Sequence, residues 1–249
     1  MPESVAGKAL GVRFLSAGDR ALVVEFGGRV DRALSERVLG LHWLIAADPP
    51  HGAVETVPTF RSLMVYYDPV LTSRAELEQA ITGRLARADI PRAGARWWRL
   101  PACYEGELAP DLAEVARLTG ITEDAVVALH SGTRFHVYML GFLPGFPYMG
   151  DLPKKLSLPR RADPRPRVPA GSISIATGLT AIYPYESPGG WHLIGATPIR
   201  LFDPKWSRPA LLAPGDAVEF TPVDATSFAS IRRAVEHGAY KVESSPISA

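Results

Sequence analysis

The chain has 249 residues, of which 47% are hydrophobic and 21% are charged, a composition typical of globular proteins with one large domain or two ordinary ones. The net charge of +1 gives no global attraction to nucleic acid, so we expect no nucleic-acid partner. The single cysteine, Cys103, excludes an intrachain disulfide and a zinc site built from several cysteines. Because the N terminus lacks a signal-peptide core and no apolar run reaches membrane-spanning length, we expect a cytoplasmic protein without membrane contact.

The N-terminal part of the chain shows strand and helix patterns in turn. Runs of β-branched and apolar residues predict strands at Val12–Leu15, Ala21–Phe26 and Thr56–Tyr67. Asp31 and Ser73 stand where N-caps are expected, each in front of apolar residues at helical spacing. The order strand, strand, helix, strand, helix predicts a small ferredoxin-like α/β domain with helices on one face of a sheet.

The pattern changes after Gly94, where short strands and turns rich in proline and glycine follow. Fourteen of the 23 prolines lie between Gly141 and Pro222, so we expect no long helix there. Two short helices are predicted before this region, one starting near Pro110 and one capped by Thr122. Many short strands favour a barrel or a sandwich. The predicted strands are Arg96–Tyr104, Arg134–Leu140, Ser172–Ala176, Ala181–Pro184, His192–Ile194, Ile199–Phe202 and Ala217–Phe220.

These patterns predict an α+β protein in three parts. Residues 1–94 form the N-terminal α/β domain, and residues 95–238 form the β-rich second domain. Residues 239–249 are polar and form a loose tail.

The sequence carries few signs of catalytic chemistry. It has no H-E-x-x-H, C-x-x-C, G-x-S-x-G or P-loop motif, and no histidine pair has the spacing of a metal site. His130 lies at the expected end of a helix, where it either interacts with the negative helix terminus or acts as an acid or base. His192 follows Trp191, and alternation along a strand points one of the two into a pocket and the other into the core.

A basic and aromatic region follows Gly141. Its arginines form either a solvated loop or a site that binds carboxylate or phosphate through bidentate hydrogen bonds. Its aromatic residues form either the wall of a groove or part of the core, and its serines are usual in turns. The candidate substrate-binding residues are Gly145, Phe146, Tyr148, Arg160, Arg161, Arg165, Ser172, Tyr183, Ser187, Gly189, Gly190 and Trp191.

Ten segments of the second half resemble the KipI family, also called the allophanate hydrolase subunit 1 family. The resemblance covers about Arg134–Val223 in order and spacing, and the N-terminal half fits more loosely. Together the segments are much more specific than any one Gly/Pro motif. They are Phe135–Tyr138, Gly141–Gly150, Leu158–Arg161, Pro164-Arg165, Val168–Ser172, Ile182–Pro184, Ser187–Gly195, Thr197-Pro198, Leu201–Pro204 and Leu212–Asp216.

The resemblance implies a cyclophilin-like, carboxyltransferase-type β-barrel behind a small α/β domain. It also implies a KipA-like (PxpC-type) partner subunit. In bacterial 5-oxoprolinase, such a pair works with a PxpA-type subunit in the ATP-dependent opening of 5-oxoproline, a small cyclic amide, to glutamate. ATP is therefore implied for the assembled complex, and the sequence leaves open whether this chain contacts it.

Three functions are compatible with this resemblance. The favoured one is a non-autonomous subunit of a 5-oxoprolinase-like hydrolase. The second is the carboxyltransferase component of a biotin-dependent urea or amide carboxylase, and the third is an interaction protein that inhibits a histidine kinase.

Four positions depart from the usual family pattern. Leu179 stands where the family commonly has Gln, and Ala181 where it has Gly. Asp151 replaces the second glycine of a Gly-Gly pair, and Ala196 stands where the family often has Arg. Loss of an amide and of a positive charge changes the polar contacts that the groove offers, so we expect the fold to be kept and the substrate contacts to differ.

Overall fold

The protein is described by a computed structural model over residues 11–86 and 94–247. Its fold is mixed α+β, and it divides into two compact units at the junction of Gly94 and Ala95.

The first unit contains a four-stranded antiparallel sheet with the strand order β1-β2-β4-β3. Helices α1 and α2 pack on one face of this sheet, because Val38 and Leu41 of α1 and Leu77 and Ile81 of α2 share a core with Leu63. The elements are β1 (Arg13–Ser16), β2 (Ala21–Glu25), α1 (Arg32–Ala47), β3 (Ala53–Pro58), β4 (Ser62–Tyr67) and α2 (Arg74–Leu85).

Both predicted N-caps of this unit are confirmed. The side chain of Asp31 accepts hydrogen bonds from two backbone N–H groups in the first turn of α1. Ser73 and Glu76 form a reciprocal capping box at the start of α2. These local contacts fix where the two helices begin.

The prediction of one strand over Thr56–Tyr67 is wrong, because the run is divided between β3 and β4. Thr59 makes the turn, since its N–H and its hydroxyl both donate to the carbonyl oxygen of Ser62, at 2.8 and 3.0 Å. Strand β3, which contains Pro58, lies at the edge of the sheet, as proline in a strand requires.

The second unit is built on an eight-stranded sheet with the order β12-β9-β10-β7-β6-β13-β5-β14. A separate two-stranded ribbon pairs β11 with β8. The strands are β5 (Arg96–Ala102), β6 (Phe135–Leu140), β7 (Pro147–Gly150), β8 (Arg165–Val168), β9 (Ser172–Ala176), β10 (Leu179–Ile182), β11 (Ser187–Gly189), β12 (His192–Ala196), β13 (Ala217–Pro222) and β14 (Glu243–Pro246). The helices are α3 (Leu112–Thr119), α4 (Glu123–Ser131) and α5 (Ala225–Glu236).

The central strands of this sheet are buried on both faces. Ile173 and Ile175 of β9 share the main core with residues of α3 and α4. Ala176 and Ala181 point to the other face, where they join a smaller aromatic cluster. This two-sided burial explains why β9 is apolar or small at every position.

Among the described residues, the eight-stranded ladder is open and does not form a closed barrel. One isolated bridge joins the edge strand β12 to the residue that follows β5, and in it Cys103 and Ala196 exchange backbone hydrogen bonds of 2.8 and 2.9 Å. Because β5 lies next to the opposite edge strand, β14, this bridge brings the two sides of the sheet together without closing it.

The prediction of a loose tail over residues 239–249 is wrong for Glu243–Pro246, which form β14. This strand pairs with β5 in antiparallel register. Residues 248 and 249 lie outside the described residues. Among the described helices, none combines the length and the hydropathy needed to cross a bilayer.

Candidate functional site

The second unit contains a cavity of about 740 Å³, which we call cavity 1. This volume is within the usual range of small-molecule sites. The cavity is lined by Ser172 at the start of β9, by the segment that follows β12, and by one side of α5. Its lining includes Arg165, Arg167, Pro169, Gly171, Ser172, Pro184, Tyr185, Ala196, Thr197, Pro198, Arg200, Phe202, Asp203, Lys205, Phe228 and Arg232.

The wall of cavity 1 is held at a close backbone crossing. Gly171 donates to the carbonyl of Tyr183 at 2.7 Å, and its own carbonyl accepts from Thr197 at 2.9 Å. Gly171 has φ +85°, and a Cβ there would lie 2.4 Å from the carbonyl oxygen of Thr197. Only glycine combines this positive φ with the absence of a Cβ, so the backbone crossing at Gly171 fixes one side of the cavity.

The cations of cavity 1 differ in their pairing. Arg200 forms an ion pair of 2.8 Å with Asp203. Arg167 and Lys205 are exposed, and neither makes an ion pair among the described residues. The backbone N–H of Lys205 bonds to Asp203, and the Lys205 charge attracts that carboxyl beyond ion-pair distance, so both help to lower the pKa of Asp203. Two cations without an ion pair in a cavity favour an anionic ligand, because a carboxylate or phosphate would complete their pairing.

Arg165 and Arg161 are instead paired with a carboxylate that the sequence did not single out. Asp111 is buried and accepts hydrogen bonds from both terminal nitrogens of Arg165, at 2.9 and 2.6 Å, and from Arg161 at 3.0 Å. It also accepts the backbone N–H of Leu193 at 2.7 Å. This Asp111 cluster ties the segment before α3 to β8 and β12, so these two arginines have a structural role.

His192 lies beside this cluster and is 5% exposed. Its Nε2 donates to the carbonyl of Pro159 at 3.0 Å. Within the described residues, Nδ1 is buried without a hydrogen-bond partner. His192 does not line cavity 1.

His130 is fully buried at the last turn of α4. Thr180 donates to the carbonyl of Ser174, so it accepts from Nε2 of His130 at 3.0 Å, and Nδ1 accepts from the hydroxyl of Tyr104 at 2.9 Å. Burial lowers the pKa of His130 to about 3. Because the ring is sealed from solvent and both nitrogens are engaged, the structure favours a structural role for His130 over an acid–base role.

The predicted aromatic wall packs as a small core. Phe146 lies 5.1 Å from Tyr183 and 4.9 Å from Tyr148 between ring centroids, and Tyr148 lies 6.0 Å from Trp191. Phe146, Tyr183 and Trp191 are at most 5% exposed, and burial raises the pKa of Tyr183 to about 12. None of these four rings lines cavity 1. The exposed Arg160 lies over the ring of Trp191, with its Cζ 6.0 Å from the centroid.

The predicted glycines and Ser187 support this aromatic core and the cavity wall. A Cβ on Gly189 would lie 2.2 Å from the hydroxyl of Tyr183, whereas one on Gly190 would make ordinary contacts of 3.6 Å with Pro164. Gly145 has φ +75° and lies against Phe202, which lines cavity 1. Ser187 pairs with Val168 in the ribbon.

Of the predicted site residues, only Arg165 and Ser172 line cavity 1. Arg167 belongs to the basic region noted in the sequence but was not among the candidate site residues, and Lys205 and Tyr185 were missed. One signal was available, since strand alternation places Arg167 on the same side as Arg165. No group of three or more metal-ligating side chains occurs in the parts of the chain covered by the structure.

Comparison with known proteins gives three findings. The family model of the carboxyltransferase domain, subdomain C and D, matches residues 12–212. The B subunit of 5-oxoprolinase from Bacillus subtilis (strain 168) is 37% identical over 217 residues, which cover 83% of this chain and 90% of that protein. The crystal structure of TTHA0988 superposes with a TM-score of 0.74 at 39% identity, covering 83% of this chain and 40% of that one.

A more distant similarity concerns the fold alone. The K. lactis urea amidolyase structure superposes with a TM-score of 0.81, covering 99% of this chain and 17% of that one, at 22% identity. The chain thus spans a minor part of both solved structures and nearly all of the bacterial protein.

Proposed function

Because the chain belongs to the family of the carboxyltransferase domain, subdomain C and D, we propose that it is the B subunit of a 5-oxoprolinase. The observation that carries this proposal is the 37% identity to a protein of that name across 90% of its length. Such a subunit is a non-autonomous part of an ATP-dependent hydrolase that opens 5-oxoproline to glutamate.

Cavity 1 suits the chemistry of this substrate. 5-Oxoproline carries one carboxylate on a small lactam ring, and Arg167 and Lys205 offer two unpaired cations on a cavity wall stiffened by prolines. We assign carboxylate binding to these two side chains. Ala196, where the family often has Arg, also lines the cavity, so cations at other positions supply the charge.

In this proposal the chain binds and orients the substrate, and a partner supplies the reacting groups. Neither histidine candidate lines cavity 1, and Ser172 has no histidine or carboxylate bonded to its hydroxyl among the described hydrogen bonds. A nucleophile needs such a base within hydrogen-bond reach. We therefore propose a KipA-like (PxpC-type) subunit and a PxpA-type subunit as partners, in the cytoplasm, with ATP consumed by the assembled complex.

The finer description of the second unit also belongs to this proposal. We assign it to the cyclophilin-like type, with residues 95–238 as its core and residues 1–94 as a separate α/β domain. The bridge between Cys103 and Ala196 supports this, because it connects the edge strand β12 with the residue after β5, which lies beside the opposite edge strand.

Co-expression with KipA-like and PxpA-like subunits from the same cell tests the function. The expected result is a stable complex that forms glutamate from 5-oxoproline only when ATP is present. A complex that assembles fully but gives no turnover would show the proposal to be wrong. Urea- or amide-dependent carboxylation by that complex would replace it with the carboxyltransferase function, which the fold similarity alone does not favour.

A further inference from the structure

A second cavity of about 790 Å³, cavity 2, lies in the same unit beside cavity 1. The two cavities share four lining residues, Ile199, Arg200, Val235 and Glu236. A ligand in cavity 2 would thus be separated from one in cavity 1 by a single layer of side chains.

Cavity 2 is strongly basic. Its lining contains Arg96, Arg200, Arg208 and Lys241, against Glu236 as the acidic lining residue. Arg208 and Lys241 are exposed and make no ion pair among the described residues. This excess of positive charge selects an anionic ligand.

Arg96 adds a third cation without a carboxylate partner. Its guanidinium donates to the hydroxyl of Ser244 at 2.8 Å and lies 5.6 Å from the ring centroid of Trp98. Trp98 is fixed in turn, because its indole N–H donates to the buried Asp216 at 2.9 Å. Arg96 is therefore held in place by neutral groups while its charge stays available.

Aromatic side chains occur among these cations. Trp206 is 38% exposed and lies in a turn that Asp203 fixes by accepting the backbone N–H of Lys205 at 2.9 Å. Tyr240 is half-buried on another side of the cavity. A flat exposed indole beside free cations matches a ligand that has both an aromatic ring and several negative charges.

We propose that cavity 2 binds a nucleoside polyphosphate, with the base against Trp206 and the phosphates on Arg208, Lys241 and Arg96. The choice of ATP among nucleotides rests on the proposed function, whereas the ligand class rests on the cavity itself. Side chains hold the phosphates here, which agrees with the absence of a P-loop motif from the sequence. The nucleotide and the small substrate then occupy adjoining cavities.

Titration calorimetry of the purified full-length chain with ATP tests this site without any partner or turnover. We expect saturable binding that the double variant Arg208→Ala/Lys241→Ala weakens about tenfold or more, since charge-assisted hydrogen bonds are lost. Trp206→Ala should weaken ATP binding but leave tripolyphosphate binding unchanged. Lys154→Ala/Lys155→Ala removes the same charge from an exposed turn and should leave ATP affinity unchanged.

Three outcomes would overturn the assignment. They are no saturable ATP binding at millimolar concentration, equal affinity for the Arg208/Lys241 double variant, and equal affinity for ATP and tripolyphosphate. Each concerns binding to the isolated chain, so each is distinct from a failure of the reconstituted complex to turn over 5-oxoproline.

Discussion

Arg165 and Arg167 lie two residues apart in β8, and both line cavity 1, but only Arg165 is paired. Both of its terminal nitrogens bond to the buried Asp111, whereas Arg167 makes no ion pair among the described residues. The Asp111 cluster is a closed set of charges that stabilises the fold. In cavity 1, Arg200 is paired with Asp203, but Arg167 and Lys205 make no ion pair among the described residues and form an open set that a ligand could complete. Neighbouring residues of one type therefore have different roles.

The largest expected effect is a loss of stability when Asp111, the carboxylate of the Asp111 cluster, is removed. Asp111→Ala leaves Arg161 and Arg165 partly buried without a partner and should lower the free energy of unfolding by about 3–5 kcal/mol. Denaturant unfolding measures this. Glu114→Gln, which breaks an exposed pair with Arg117, is the control and should leave the unfolding midpoint unchanged. Equal unfolding midpoints for the two variants would show that the buried Asp111 pairs stabilise the fold no more than an exposed ion pair does.

His130 lies outside the Asp111 cluster and bonds to Tyr104 and Thr180, and its burial predicts a pH dependence. Its pKa is about 3 in the folded chain and 6.5 in the unfolded chain, so the unfolded state binds the extra proton between these values. Stability should therefore be complete above pH 6.5 and fall by about 1.4 kcal/mol per pH unit below it, until about pH 3. Unfolding curves from pH 7 to 4 should show a shallower slope for His130→Asn, and identical slopes would contradict a neutral buried His130.

Gly189 and Gly190 are adjacent, but only Gly189 lies against the ring of Tyr183, so the two alanine variants serve as test and control. Gly189→Ala places a Cβ against the buried ring of Tyr183 and should cost about 1–3 kcal/mol in unfolding free energy. Gly190→Ala should be tolerated, since its Cβ meets only ordinary contacts and the structure gives it no positive φ. Thermal unfolding of both variants measures the difference. A larger loss of stability for Gly190→Ala than for Gly189→Ala would contradict the packing of Gly189 against Tyr183.

The smallest expected effects are those of the single variants Arg167→Ala and Arg165→Ala, which separate a binding role from a structural one. Arg167→Ala should raise the KM for 5-oxoproline in the reconstituted complex about tenfold, because one charge-assisted hydrogen bond is lost, and should leave stability unchanged. Arg165→Ala should instead lower the unfolding temperature of the isolated chain, since it leaves Asp111 with fewer partners. The reverse pattern would place Arg165, and not Arg167, in the site.

The sequence predicted features that depend on nearby residues. The caps at Asp31, Ser73 and Thr122 are confirmed because each side chain bonds to backbone only two or three residues away. It missed α5, although Asp224 caps that helix by the same mechanism. It also missed β14, because Glu243–Pro246 has no apolar pattern and becomes a strand only by pairing with β5.

The candidate site was harder to predict, because its definition depends on distant contacts. The Pro/Gly-rich segments marked the right region, and Ser172 and Arg165 do line cavity 1. The aromatic residues of the same segments form a core, because the second face of the sheet also needs apolar cover. The residue types of these segments alone do not show whether their aromatic side chains line a groove or pack in a core.

By itself, the sequence determined the family, the helix starts and the absence of a long helix between Gly141 and Pro222. These follow from local rules on capping, proline and motif order. The tertiary structure alone decided which cations are free. Asp111 precedes Arg165 by 54 residues and reaches it only through the packing of α3 against β12, so one arginine is neutralised and its neighbour in β8 is left for a ligand.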